Sequence, residues 1–444
     1  MEIKLFNSMS NALEVFKPLK EGEVSMYVCG PTVYSYPHIG NLRPVVTFDT
    51  LRRLFEHLGY RVTYISNITD IDDKIINAAI EEGVSEKELA MKYEANFFDC
   101  CQKIHALRPT YTPHATITIP RMVKFIQGLI DKGYAYEVEG DVYFRVNKIE
   151  DYGKLSHFQV ENLKSGARIE ENVKKENPLD FALWKKTDVG IKFPAPFGEG
   201  RPGWHTECVV MIQDYYPDGR IDIHGGGFDL KFPHHENEIA QAEACFHHSI
   251  ATYWIHNGFI NIDNVKMSKS LGNVLSAKDL LAEYDGNTLR MTMLSSHYRA
   301  PLNISKEILE ASSKEVERIM QPLKQASIQL QINDVPTSKE VDKELLDSFY
   351  AMVANDLNTA NGISVVFQAC KDLNNVIRRR DYLRAQVLYH TILTMLDVLG
   401  LEYVDYQLSL EDKELFAKWN EYRQAKDFAK ADELRQELAS RGLL

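Results

Sequence analysis

The first interpretable pattern along the chain is an alternation of small and bulky residues. It runs from Val24 to Cys29 and stops at a Gly-Pro break, which predicts a short strand entering a loop. Beyond HIGN the apolar residues Phe48, Leu51, Leu54, Phe55 and Leu58 recur at helical spacing, with Pro44 tolerated in the first turn and Gly59 placed to end the helix. RVTYISNI, residues 61–68, predicts a second strand, and TDIDDKIINAAIEEG a second helix capped by Thr69 or Asp70. The order strand, helix, strand, helix is that of an α/β unit with a parallel sheet. Such units gather ligands at the C-terminal ends of their strands, where helix N-termini offer N–H groups to phosphate. Cys29, His38, Asn41 and Thr69 all fall on that rim.

The pattern then changes twice. EVEGDVYFRV alternates about a central Gly-Asp and predicts a hairpin inside an α+β insertion spanning residues 108–202. Beyond Ala311 strand signals fade, QINDVPTSKE reads as a linker, and helical periodicity continues to the end, which predicts a helical bundle. The arginines 378, 379, 380 and 384 form either a phosphate-facing patch or a solvated helix face. With 444 residues and 44% hydrophobic content, about two to four domains are expected.

Composition narrows the class. MEIKLFNSMS has no signal-peptide layout and no apolar stretch reaches membrane-spanning length, so a cytoplasmic protein with no membrane contact is expected. Six dispersed cysteines make a poor disulfide framework and leave thiols for metal binding or catalysis. A formal charge of −12 argues against general nucleic-acid affinity but leaves room for local basic grooves.

Two fragments, His38-Ile39-Gly40-Asn41 and Lys266-Met267-Ser268-Lys269-Ser270, are together far less frequent by chance than either alone. The first resembles the HIGH signature of class I aminoacyl-tRNA synthetases and the second matches their KMSKS loop. Activating an amino acid with ATP crowds negative charge around the α-phosphate, so positioning and charge stabilisation supply the catalysis and no covalent nucleophile is required. His38, Asn41, Lys266 and Lys269 would supply the donors, Gly40 would admit the backbone close to ATP, and Ser268 and Lys269 would hold the nucleotide. The family commonly has histidine where this chain has Asn41, which can donate a hydrogen bond but carries no charge.

In the middle of the chain GRPGWHTECVVM and FDLKFPHHENEIAQAEA carry further candidates. Pro233 and the Ala-rich pattern predict a helix opening, which puts His234 and Glu238 one turn apart on one face while His235 and Glu236 point elsewhere. With Cys29 and Cys208 they make a donor set compatible with zinc, although dispersed core thiols and a solvated helix start account for the same residues. GRPGWHTEC, HGGGFDLKFPHHENEIAQ, NITDIDDKI and DFALWK closely resemble the cysteinyl branch of the class I family, over about Met26 to Leu302. That resemblance implies that Cys29, Cys208, His234 and Glu238 bind one Zn2+ that reads the thiolate of L-cysteine, with Thr69, Trp204 and Asp229 lining the amino-acid pocket. It also implies ATP with Mg2+ as a substrate, tRNA(Cys) as the partner and a monomeric enzyme.

The implied fold is a Rossmann-like class I synthetase catalytic domain, α/β in class, with an α+β connective insertion and a C-terminal helical bundle. Its expected segments are 1–107 and 203–260 for the two halves of the catalytic domain, 108–202 for the insertion, 261–310 for the KMSKS loop and stem-contact region, and 311–444 for a DALR-type anticodon-binding domain. Relatives usually continue into a terminal strand segment, so a shortened C-terminus that leans less on anticodon bases is expected. The family also usually carries arginine where this chain has His114. Two other functions fit parts of the pattern: a cysteine ligase acting on an amino sugar in mycothiol-type synthesis, against which the helical half argues, and a non-catalytic RNA-binding paralogue, against which the retained His38, Lys266, Lys269 and donor quartet argue.

Overall fold

The computed structural model describes residues 1–157, 174–267 and 271–443. They divide into two compact units, one formed by residues 1–285 with 298–304 and the other by residues 286–297 with 305–444.

The first unit is built on a four-stranded parallel sheet in the order Ala251–Asn257, Ile221–Gly227, Glu23–Val28, Arg61–Ser66. The predicted alternation is visible in the strand Glu23–Val28, whose Val24 and Met26 are buried. The helix Ile39–His57 crosses from that strand to Arg61–Ser66, buries Phe48, Leu51, Leu54 and Phe55 as the spacing predicts, and ends with Gly59 at φ +91°. The helix Glu236–Phe246 links Ile221–Gly227 to Ala251–Asn257 on the other side. The connections therefore diverge between Glu23–Val28 and Ile221–Gly227, and the strand ends at such a switch point leave a crevice for a ligand. Cys29 follows the last residue of one of these strands and donates its N–H to the Gly225 carbonyl of the other at 3.1 Å.

One helix start differs from the expectation. The helix Asp73–Glu82 is capped by Asp72, which accepts from the Lys74 N–H, and neither Thr69 nor Asp70 is the cap. Thr69 is instead bridged in parallel to Thr32, which extends the sheet past its regular strands, and the Asp70 carboxylate accepts from the N–H and hydroxyl of Thr116. Both are engaged in long-range contacts before the helix begins.

The insertion is the expected α+β lobe. The helix Ala115–Asp131 precedes an antiparallel sheet in the order Ala135–Val138, Asp141–Phe144, Phe181–Lys186, Gly200–Pro202. Its hairpin turns at Glu139-Gly140, one residue before the Gly-Asp centre expected, because both turn residues must adopt positive φ (+55° and +90°). His114 caps the helix position and meets Glu94 at 3.0 Å. A second small sheet pairs Ile260–Ile262 with Val265–Lys266 and with Leu302–Ile304, so Lys266 stands at the end of a hairpin.

The second unit is helical. Its long helix Lys306–Ile332 starts before Ala311 because Ser305 caps it, accepting from the Ile308 N–H. The helices Lys343–Val353, Thr359–Arg378, Tyr382–Leu399, Leu410–Gln424 and Phe428–Ser440 follow; of the predicted linker 331–340, residues 333–340 lie between helices and the first two still belong to Lys306–Ile332. Among the described residues, no helix is long and apolar enough to cross a membrane.

Candidate active site and metal centre

At the switch point the strand ends are stripped of side-chain bulk. A Cβ on Gly225 would lie 2.1 Å from the Phe48 ring, so glycine here lets the helix Ile39–His57 sit directly on the sheet. Four groups from three segments converge near these strand ends. Cys29 Sγ lies 3.6 Å from Cys208 Sγ, Cys208 Sγ lies 3.6 Å from His234 Nε2, and His234 Nε2 lies 2.9 Å from Glu238 Oε1. All four donor atoms fall within 4.8 Å of one another.

A tetrahedral ion at zinc–ligand distances of about 2.0 to 2.3 Å sets ligand separations of roughly 3.3 to 3.8 Å, so the two contacts made by Cys208 match such edges. Two thiols, one imidazole and one carboxylate also suit zinc in softness. The residues present therefore fit the ion.

Burial and the neighbouring charges pull the four groups in different directions. Burial raises both thiols, but the Cys208 hydrogen bond and the neighbouring His235 hold Cys29 well below the usual thiol range. Burial and the adjacent Cys29 charge push Cys208 well above it. Burial alone would neutralise Glu238, yet His224 and His234 keep its carboxyl well below the ordinary range. Against burial, Glu238 and Cys29 push His234 up to about 10. A metal that displaces those protons takes over the charge balance that they provide.

Around the four lies a layer of histidines that sequence reasoning missed. His224 Nε2 meets Glu238 Oε2 at 2.6 Å, His205 Nδ1 meets His234 Nδ1 at 3.0 Å, and His235 Nδ1 meets His256 Nε2 at 2.9 Å. Burial and His234 drop His205 to about 3, so it stays neutral and orients the His234 ring. The expectation that His235 points elsewhere is wrong. Its Nε2 lies 3.2 Å from Cys29 Sγ, and Cys29, His224, His235 and Glu238 form a second converging set. The reason is local: Phe232 is extended (φ −142°, ψ 133°), so helical geometry begins only beyond it and both imidazoles enter the centre. Glu236 does point away, accepting from the N–H groups of Leu155 and Ser156. The available signal was that His224 sits on a strand bordering the switch point and His256 on the strand next to it.

A cavity of about 450 Å³ opens above the cluster, and Cys29, Trp204 and Asp229 line it together with His38, Gly40, Asn41 and Lys266. Trp204 stacks on the His234 ring at 3.9 Å and 16°, which joins the cavity wall to the cluster. Thr69 does not line the cavity. Its hydroxyl is buried and donates to Glu207 Oε2 at 2.6 Å. His38 precedes the first turn of the helix Ile39–His57, and its backbone N–H donates to Asn41 Oδ1 at 3.0 Å. A Cβ on Gly40 would lie 2.8 Å from the Met267 methyl and 2.9 Å from His38 Nδ1, so its absence keeps these two arms close. The Lys266 ammonium sits 3.8 Å from the centre of the Phe259 ring. Ser268 and Lys269 lie outside the described residues.

Residues 15–314 match the family model described as tRNA synthetases class I (C) catalytic domain, and residues 348–403 match the DALR domain. The chain is 46% identical over 442 residues to a cysteine–tRNA ligase of Acholeplasma laidlawii, covering 100% of each chain. It is 45% identical to that of Brevibacillus brevis, covering 100% of this chain and 97% of the relative. Among solved structures, a Mycobacterium tuberculosis methionyl-tRNA synthetase in complex with methionyl-adenylate aligns with TM-score 0.60 at 13% identity, covering 85% of this chain and 89% of that one. That likeness concerns the fold.

Proposed function

We propose, for a chain that belongs to the cysteine–tRNA ligase family of class I aminoacyl-tRNA synthetases, that Cys29, Cys208, His234 and Glu238 hold a zinc ion beside an ATP site built on His38, Gly40 and Lys266. As a member of that family the protein attaches cysteine to tRNA(Cys) at the expense of ATP. The amino-sugar ligase and the non-catalytic paralogue are not favoured, because named ligases match end to end and both the catalytic and the DALR regions are present.

The observation that carries the zinc reading is the double position of Cys29, which belongs to the converging donor set and also lines the cavity. Bound there, zinc supplies a soft Lewis acid that prefers a thiolate to the hydroxyl of serine, a discrimination that can reach roughly 10⁴ to 10⁵ without proofreading. We assign Trp204 and Asp229 to the walls of the amino-acid pocket, and Thr69 to a place behind it through Glu207. The cysteine carboxylate attacks the α-phosphorus of ATP, forming the mixed anhydride and releasing pyrophosphate. The terminal ribose hydroxyl of the tRNA then takes the aminoacyl group and AMP leaves. His38 and Lys266, with Lys269 from the matched motif, offer donors to the phosphate charge that develops in the first step, and Mg2+ accompanies the ATP. A cavity lined within one chain suits a monomer, and six free cysteines suit a reducing compartment such as the cytoplasm.

Metal analysis of the purified protein is expected to find about one zinc per chain. Chelation should remove zinc and cysteine affinity together while binding of a non-hydrolysable ATP analogue persists. Full cysteine affinity in zinc-free protein would refute the assignment. Charging of tRNA(Cys) beside amino-sugar acceptors, in the same preparation, separates the ligase from its alternative.

His38 and Asn41 should differ in effect. His38→Ala is expected to slow pyrophosphate exchange by about 10² to 10³, the usual cost of one transition-state donor. Asn41→Ala should act mainly on stability, by about 1 kcal/mol, because its side-chain oxygen caps the helix through the His38 N–H. Equal slowing in both variants would place the Asn41 amide against the phosphate instead.

A further inference from the structure

The helix that begins beyond His38 carries a buried cation with no part in the reading above. Arg43 is 1% exposed, and its guanidinium donates from Nη1 to the Phe259 carbonyl at 2.6 Å and from Nη2 to the Ala300 carbonyl at 2.5 Å. Burial lowers its pKa to about 10, which leaves it charged at neutral pH. Neither carbonyl belongs to its own helix. Phe259 immediately precedes the strand Ile260–Ile262, and Ala300 lies on the segment entering its parallel neighbour Leu302–Ile304. These segments touch so closely that a Cβ on Gly258 would lie 2.5 Å from the Ala300 oxygen. The Phe259 ring lines the cavity and holds the Lys266 ammonium over its face at 3.8 Å. Two contacts in series thus join the helix of His38 to Lys266.

We propose that Arg43 is a positioning residue for adenylate formation, setting where the Phe259 ring and the Lys266 ammonium stand relative to His38. The inference rests on the reading that Lys266 faces the phosphates of ATP. A planar guanidinium fork can hold two carbonyls from different segments at a fixed spacing, whereas an ammonium holds them as a point charge without a defined angle. Lysine is a flexible donor, and a displacement of about 1 Å at a catalytic group can cost roughly 100-fold in rate.

The test is a double-mutant cycle read by cysteine-dependent pyrophosphate exchange, with rates normalised to active sites titrated in a single turnover. Arg43→Met is expected to lower kcat per active site about 100-fold, and Arg43→Lys about 10-fold, with zinc content and the KM for cysteine unchanged. In a Lys266→Ala background either substitution should cost less than about threefold, because the group it positions is gone. If Arg43→Met does not fold, Arg43→Lys carries the cycle. Normal kcat per active site with only fewer active molecules would mark a purely structural role and overturn the proposal. An undiminished Arg43 effect on top of a slow Lys266→Ala overturns it as well, while leaving the reading of Lys266 standing. Full speed in Lys266→Ala overturns that reading and this inference with it.

Discussion

Cys208→Ala is expected to strip the purified protein of zinc and to slow cysteine-dependent pyrophosphate exchange by about 10³ or more, since even partners that only orient a metal ligand are worth about 10 to 100-fold. The Cys208 thiol is 1% exposed and touches both Cys29 and His234, so its loss removes one corner of the donor set and one of the two soft ligands. Cys29 also loses the hydrogen bond that chiefly holds its thiol below the usual range. Metal content and cysteine affinity should therefore fall together while the overall fold, followed by circular dichroism, persists. Retention of zinc with normal cysteine affinity would shift the ion to the second set, Cys29, His224, His235 and Glu238, and the assignment of Cys208 would be wrong.

Gly30→Ala is expected to destabilise the catalytic unit by about 3 kcal/mol and to lower zinc content as a consequence. A Cβ on Gly30 would lie 1.6 Å from the Asn67 carbonyl oxygen and 2.7 Å from its carbon, an overlap that only backbone movement can relieve. The Gly30 N–H also donates to Asn67 Oδ1 at 2.9 Å. Cys29 precedes Gly30, and Asn67 follows the strand Arg61–Ser66, so relief of the clash displaces Cys29 along with the seam between the central strand Glu23–Val28 and the edge strand Arg61–Ser66. Gly128→Ala is the control: it lies within the helix Ala115–Asp131 with nothing within 4 Å of the added Cβ, and alanine there should be neutral or stabilising by up to about 1 kcal/mol. Denaturant midpoints of the two variants test the contrast. A Gly30→Ala protein as stable as its parent, with full zinc, would show that the strand ends give way at no cost.

Much of this protein was legible in its local patterns. The spacing of Phe48, Leu51, Leu54 and Phe55 specified a helix because a 3.6-residue repeat puts them on one buried stripe whatever lies beyond. The alternation up to Cys29 specified a strand for the same kind of reason, and the donors Cys29, Cys208, His234 and Glu238, which the structure brings together, could be named as candidates because their flanking motifs are distinctive. Only the tertiary structure decided which groups meet. Tyr27 pairs with His224 across the parallel sheet, and that register brings Cys29 to the end of a strand nearly two hundred residues away. His235 approaches Cys29, Thr69 turns to the Glu207 carboxylate, Gly30 faces the Asn67 carbonyl, and Arg43 reaches Phe259 and Ala300. None of these follows from spacing along the chain. A side chain's direction is set within one turn or one pleat, whereas its partner is set by strand order, register and crossover, which depend on how distant segments bury their apolar faces together.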